Sequence, residues 1–237
     1  MTKQLIGLGI VVAGLLLFGW YISAGTEEKK METKTNNNSI TYIALGDSYT
    51  IGNGVAEADR WPNVLVRHLN EAGISIKLIA NPSVSGYRVA DASEKELPVI
   101  ERLKPDFVTV LIGANDNFGG KSKESYKEEL SKFLDRLQEL MPKPNNLVLI
   151  TIPDYSLSPA AQGNNTAGIS ESIVEYNSII KAEAEKRNLK TADIFPISQT
   201  MTGQEDYISD GLHPSALGYA KWEKEIYPVV YDFLTGK

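Results

Sequence analysis

From residue 40 onward, short apolar runs alternate with longer amphipathic segments, and this alternation is what most narrows the folds open to the chain. The runs fall at residues 42–45, 74–80, 107–112, 147–152 and, more weakly, 191–195. Those at 107–112 and 147–152 are almost unbroken in apolar residues, as parallel strands are when helices cover both faces of their sheet. Between the runs, Tyr126, Leu130, Phe133, Leu134, Leu137 and Met141 recur at helical spacing, as do Ile169, Ile173, Tyr176, Ile180 and Ala184. Residues 61–71 and 216–226 complete the helical pattern. Five strands alternating with helices predict a parallel sheet in a three-layer α/β domain. A length of 237 residues suits one such domain with an appendage.

The appendage is at the front. Residues 5–24 carry no charge and are rich in Leu, Ile, Val and Gly. About 20 such residues span a bilayer as a helix, more than the roughly 7–15 of a cleavable signal's apolar core. Trp20 and Tyr21 suit a membrane interface, and Lys3 favours an inside amino terminus. Residues 1–25 are therefore expected to anchor the chain, or to be cleaved after Ala24, with the body outside the cytoplasm. Residues 26–39, charged and then asparagine-rich, read as a flexible linker. The folded domain is expected over 40–237.

Composition removes several classes of function. The net charge of −6, with no basic stripe, argues against a nucleic-acid partner. The absence of cysteine excludes disulfides, thiolate metal sites and a cysteine-linked lipid anchor. With two histidines, His68 and His213, a histidine-rich metal site is not expected, which leaves carboxylates alone as ligands. No phosphate-binding glycine motif follows the first strand.

The chemistry-bearing residues sit at strand ends. Gly46-Asp47-Ser48-Tyr49 follows the first strand, Ser85-Gly86 the second and Asn115-Asp116 the third, all on the edge where parallel sheets collect functional groups. Asp210-Gly211-Leu212-His213-Pro214 lies near the other end, and its spacing lets one turn bring the carboxylate to the imidazole. A serine needs a base to become a nucleophile, and a base needs an orienting acid. Ser48, His213 and Asp210 supply the three. The Ser48 and Gly86 amides and the Asn115 side chain are candidate donors for a developing oxyanion. Asp47 is expected to be structural, Pro214 to open the terminal helix, and His68 to be a surface or partly packed residue. The 154–168 stretch reads as a solvated loop, with a substrate-facing lid as the alternative.

In that order, Gly46-Asp47-Ser48-Tyr49, Ser85-Gly86, Gly113-Ala114-Asn115-Asp116 and Asp210-Gly211-Leu212-His213 resemble the four blocks of the SGNH hydrolases, the GDSL lipase/esterase family, over residues 40–237. The resemblance implies a flavodoxin-like α/β/α sandwich. It implies Ser48 as nucleophile and oxyanion donor, Gly86 and Asn115 as further donors, His213 as base and Asp210 as its partner. It also implies hydrolysis of esters with no metal or organic cofactor. Two positions depart from the pattern: Tyr49 replaces the family's leucine, and Tyr87-Arg88 follows Gly86 where relatives carry small polar residues. Arg88 either offers a cation to an anionic head group or is an exposed arginine at a helix start.

The expectation is a membrane-tethered serine esterase with an acyl-enzyme, acting on acyl esters or lysophospholipids. The rival is deacetylation of a cell-envelope polysaccharide, and the more distant alternative a non-catalytic binding domain. Tyr87, Phe118 and Tyr155, on loops near the expected site, serve either enzyme.

Overall fold

In the computed structural model, residues 39–162 and 166–237 are described. The expected anchor and all of the linker but Ser39 lie outside them. Among the described residues no helix is long and apolar enough to cross a membrane.

The five strands are β1 (Ile40–Gly46), β2 (Ile76–Ala80), β3 (Phe107–Leu111), β4 (Leu147–Ile150) and β5 (Lys190–Ala192). They form one sheet in the order β2-β1-β3-β4-β5, every pair parallel. This is the flavodoxin-like order, and its reversal of direction at β1 and β3 opens a crevice beyond their carboxyl ends. Every residue of β3 and β4 is buried, which explains their unbroken apolar sequence.

The helices are α1 (Ser48–Ile51), α2 (Trp61–Glu71), α3 (Val89–Asp91), α4 (Leu97–Leu103), α5 (Ala114–Phe118), α6 (Lys123–Leu140), α7 (Thr166–Lys186), α8 (Phe195–Ser198) and α9 (Ala216–Thr235). α2 and α9 pack together over one face of the sheet, and α4, α6 and α7 over the other. In α6, the Ser122 hydroxyl accepts from the Ser125 amide at 3.2 Å and starts the helix. Tyr126, Leu130, Phe133, Leu134 and Leu137 then form its buried stripe.

Three elements depart from the sequence expectation with a visible cause. The fourth strand stops at Ile150, although Ile152 is apolar and buried. There the Asn177 amide group takes over from a neighbouring strand: its Oδ1 accepts from the Ile152 amide at 2.7 Å, and its Nδ2 donates to the Ile152 carbonyl at 2.8 Å. Asn177→Ala leaves two buried backbone groups unpaired and is expected to destabilise the fold by about 2–4 kcal/mol, read from the urea midpoint. A loss under about 0.5 kcal/mol would mean that both groups find other partners. The fifth strand gives way to α8 because the Asp193 carboxylate accepts from the Phe195 amide at 3.2 Å and Pro196 occupies its first turn. The last helix is opened by Ser215 rather than by Pro214, with the Ser215 hydroxyl accepting from the Gly218 amide at 3.3 Å. It also runs on through Pro228 to Thr235, held by buried Ile226 and Val230.

The crossover from β2 to β3 holds helices that the apolar spacing did not announce. A π-turn, Ala92–Glu96, lies between α3 and α4. The extra residue of a π-turn breaks the 3.6-residue repeat, and it places an acidic residue, Glu96, in the buried stripe.

Candidate active site

Ser48 stands where β1 ends, at the first position of α1. The turn is tight enough to need glycine: a Cβ at Gly46 would run into the Leu111 carbonyl oxygen and the Thr50 hydroxyl. Asp47 caps the helix, its Oδ1 accepting from the Tyr49 amide at 3.0 Å. The expected structural role of Asp47 thus has a geometric basis. The Ser48 amide, in the first helical turn, has no intrahelical acceptor. Burial pushes the Asp47 carboxyl up to about 7, with repulsion from Asp116 adding and the Tyr49 amide opposing.

The loops after β2 and β3 come together beside this turn. Gly86 has φ +89, a conformation that side chains rarely adopt, and the space around its Cα is open. The Asn115 side chain donates to the Tyr87 carbonyl at 2.9 Å and, over a longer 3.3 Å, to Asp47 Oδ2. Asp116 locks the two loops together: its Oδ2 accepts from the Val89 amide at 3.0 Å, and its Oδ1 pairs with Lys121 Nζ at 2.7 Å.

His213 arrives from the segment before α9. Asp210 Oδ2 lies 2.6 Å from its Nδ1, and Asp210 Oδ1 accepts from the Leu212 and His213 amides at 2.8 and 2.9 Å. Burial would raise the Asp210 carboxyl, but the hydrogen bonds from the His213 side chain and the two amides outweigh it and hold the group below the usual carboxylate range. The imidazole packs against Tyr49, ring centroids 5.6 Å apart, and Tyr49 packs in turn on Trp222.

Ser48, Gly86, Asn115 and His213 line one pocket of about 170 Å³, walled by Tyr49, Ala114, Phe118, Tyr155 and Leu212. All five residues singled out from the sequence therefore meet here, with Asp210 behind His213. Tyr155 is fixed in the wall by its hydroxyl, which donates to Asn117 Oδ1 at 2.6 Å. Phe118 is 80% exposed and meets the Tyr155 ring edge-on at the mouth. Arg88 is exposed, with its guanidinium over Gly119.

Over residues 155–161 the segment after β4 is not a solvated loop, and Tyr155 within it faces the pocket; residues 163–165 lie outside the described residues. The segment forms two tight turns with Tyr155, Ser156, Ser158 and Ala161 buried. The Ala160 amide donates to the Gly211 carbonyl at 3.0 Å, joining this segment to the Asp210–His213 turn. His68 lies elsewhere, with Nδ1 3.0 Å from the buried carboxylate of Glu223. Asn53 was not foreseen: its Nδ2 lies 3.4 Å from His213 Nδ1. Its place five residues after Ser48, just past a one-turn helix, was the available signal.

Comparison with known proteins agrees with this architecture. The GDSL-like lipase/acylhydrolase family profile matches residues 44–221. A multidomain esterase of Ruminococcus flavefaciens is 36% identical over 125 residues, which are 53% of this chain but 15% of that protein's length. An arylesterase of Vibrio mimicus is 26% identical over 175 residues, covering 73% of this chain and 78% of the relative. The crystallised family 3 carbohydrate esterase of Clostridium thermocellum shares the fold with a TM-score of 0.67 at 22% identity, over 84% of this chain and 98% of that one. The chain thus belongs to the GDSL-like lipase/acylhydrolase family and is a carboxylic ester hydrolase.

Proposed function

We propose that the enzyme hydrolyses esters of short acyl groups through a covalent acyl-Ser48 intermediate, outside the cytoplasm. The single observation that supports this reading most is the convergence of Ser48 and the Asp210-paired His213 on one small, apolar pocket. His213 takes the Ser48 proton as the hydroxyl attacks the ester carbonyl, and returns it to the leaving alcohol. Asp210 holds the Nδ1 proton and stabilises the imidazolium. The Ser48 and Gly86 amides and Asn115 Nδ2 donate to the oxyanion, Asn115 exchanging its longer bond to Asp47 for it. Water activated by His213 then releases the acid. The location follows from the apolar segment at residues 5–24.

The pocket volume favours small acyl groups over lysophospholipid chains. A cavity of roughly 150 Å³ accepts benzene, and this one, at about 170 Å³, is of that order. On a p-nitrophenyl ester series, kcat/KM is expected to peak at about two to four acyl carbons and to fall about tenfold or more by eight. A maximum at about ten carbons or beyond would favour the lipid reading instead.

A second reading refines the alcohol side. Phe118 offers an exposed ring at the pocket mouth, a face on which a sugar can stack. The named carbohydrate esterase is of the same fold. An O-acetylated envelope polysaccharide would use both features.

Covalent labelling tests the chemistry. A fluorophosphonate is expected to modify the full-length wild-type enzyme at Ser48 and to leave His213→Ala unmodified, by peptide mapping. A folded wild-type sample that takes no label would turn the assignment toward a binding role.

A further inference from the structure

The strand that delivers Ser48 ends with an amide that the sheet leaves without a partner. β1 is paired with β2 only as far as Ile43 opposite Ala80, the last residue of β2. Three residues further on, the Gly46 amide donates to a side chain instead, Glu96 Oε1 at 3.2 Å. Glu96 is fully buried and closes the π-turn of the β2–β3 crossover. The extra residue of such a turn is what swings a side chain off the regular helical face. Its second oxygen, Oε2, and the Ser83 hydroxyl are buried beside one another.

A carboxylate so placed is costly as an anion and inexpensive as a neutral acid. The charged group that acts on it is Asp47, on the turn after β1; the Gly46 amide and Ser83, its other neighbours, are uncharged. Burial pushes the Glu96 carboxyl up to about 8, with the Gly46 amide opposing and the Asp47 charge adding.

We infer that Glu96 is a positioning residue for the nucleophile: as a neutral carboxylic acid it replaces the missing strand at Gly46 and fixes the peptide that aims Ser48 into the pocket. The inference rests on the reading of Ser48 as nucleophile given above. Ionisation of Glu96 puts a negative charge beside buried Asp47, directly under the turn that carries Ser48. Turnover therefore falls as the pH rises through the Glu96 pKa, while substrate binding, made by the pocket walls, is little changed.

The test uses the full-length enzyme with phenyl acetate in a pH-stat. Glu96→Gln keeps an oxygen for the Gly46 amide and cannot ionise, so it should retain most of kcat at about pH 7 and lose the fall that the wild type shows toward about pH 9. Glu96→Leu removes the acceptor and should lower kcat by about ten- to a hundredfold with KM within about twofold. Independently of turnover, the Gly46 amide resonance in NMR should show in the wild type a titration step that Glu96→Gln lacks, apart from the step that neighbouring Asp47 gives in both proteins.

An unimpaired Glu96→Leu, a Glu96→Gln that keeps the alkaline fall, or a Gly46 titration that is the same in the wild type and Glu96→Gln would each overturn the inference. Should Glu96→Leu not fold, the Glu96→Gln profile still decides. Failure of the wild type to take a fluorophosphonate at Ser48 would overturn the nucleophile reading itself, and is scored on a separate sample.

Discussion

Ser48→Ala is expected to lower kcat by about a millionfold while leaving the enzyme folded. On the proposed mechanism, only the attacking atom is lost. The backbone donors, the Asn115 amide and the pocket wall remain, so some acceleration over bulk water persists, as in serine hydrolases whose triads have been removed. Losing one hydroxyl from a small side chain that faces a pocket takes nothing out of the core, and the thermal midpoint should shift little. The measurement is steady-state hydrolysis of a short ester alongside near-ultraviolet circular dichroism. A variant that folds and keeps a tenth or so of wild-type kcat would place the nucleophile elsewhere.

Asp210→Asn carries the second-largest effect, a fall in kcat of about ten-thousandfold. Its geometry makes it a clean experiment. The Asn oxygen can still accept from the Leu212 and His213 amides, as Asp210 Oδ1 does at 2.8 and 2.9 Å, so the turn stays in place. The new NH2 group then faces His213 Nδ1, where a carboxylate oxygen stood at 2.6 Å. Two donors cannot face each other, so the ring proton moves to Nε2, which can then no longer accept a proton from the Ser48 hydroxyl.

Mild acid should not mimic this change. The hydrogen bonds of His213 hold the Asp210 pKa below its ordinary value despite burial. Its folded-state pKa is depressed, so its contribution to stability is complete above the ordinary carboxylate value and is lost only as pH falls through the lower, folded one. If Asp210→Asn retained more than about a tenth of wild-type turnover, His213 would be oriented by another group.

The strands and the residues that gather at the pocket were legible because each rests on a short-range signal. Unbroken apolar runs mark β3 and β4, and small motifs mark the turns that follow β1, β2 and β3. What stayed hidden depends on distant partners. Asn177 ends β4 from 25 residues away in α7, and a sequence window around Ile152 holds no hint of it. The β2–β3 crossover was unreadable because a π-turn and Pro98 break the helical repeat. The burial of Glu96 has no sequence signal for the same reason. Residues 155–161, proline-bearing and rich in small residues, carry the composition of a loop; their packing on α7 and their bond to the Asp210–His213 turn are not encoded in composition.

The bond from the Ala160 amide to the Gly211 carbonyl has a consequence for engineering. The segment that contributes Tyr155 to the pocket also braces the turn bearing His213, the proposed base. Grafting a longer or roomier loop there to widen the substrate range would therefore slacken the base at the same time. Breadth and speed are mechanically coupled in this scaffold, and a library that randomises 155–161 should yield generalists that are slow. Variation at Phe118, whose exposed ring sits at the end of α5, leaves that linkage alone and is the better entry point for redirecting selectivity.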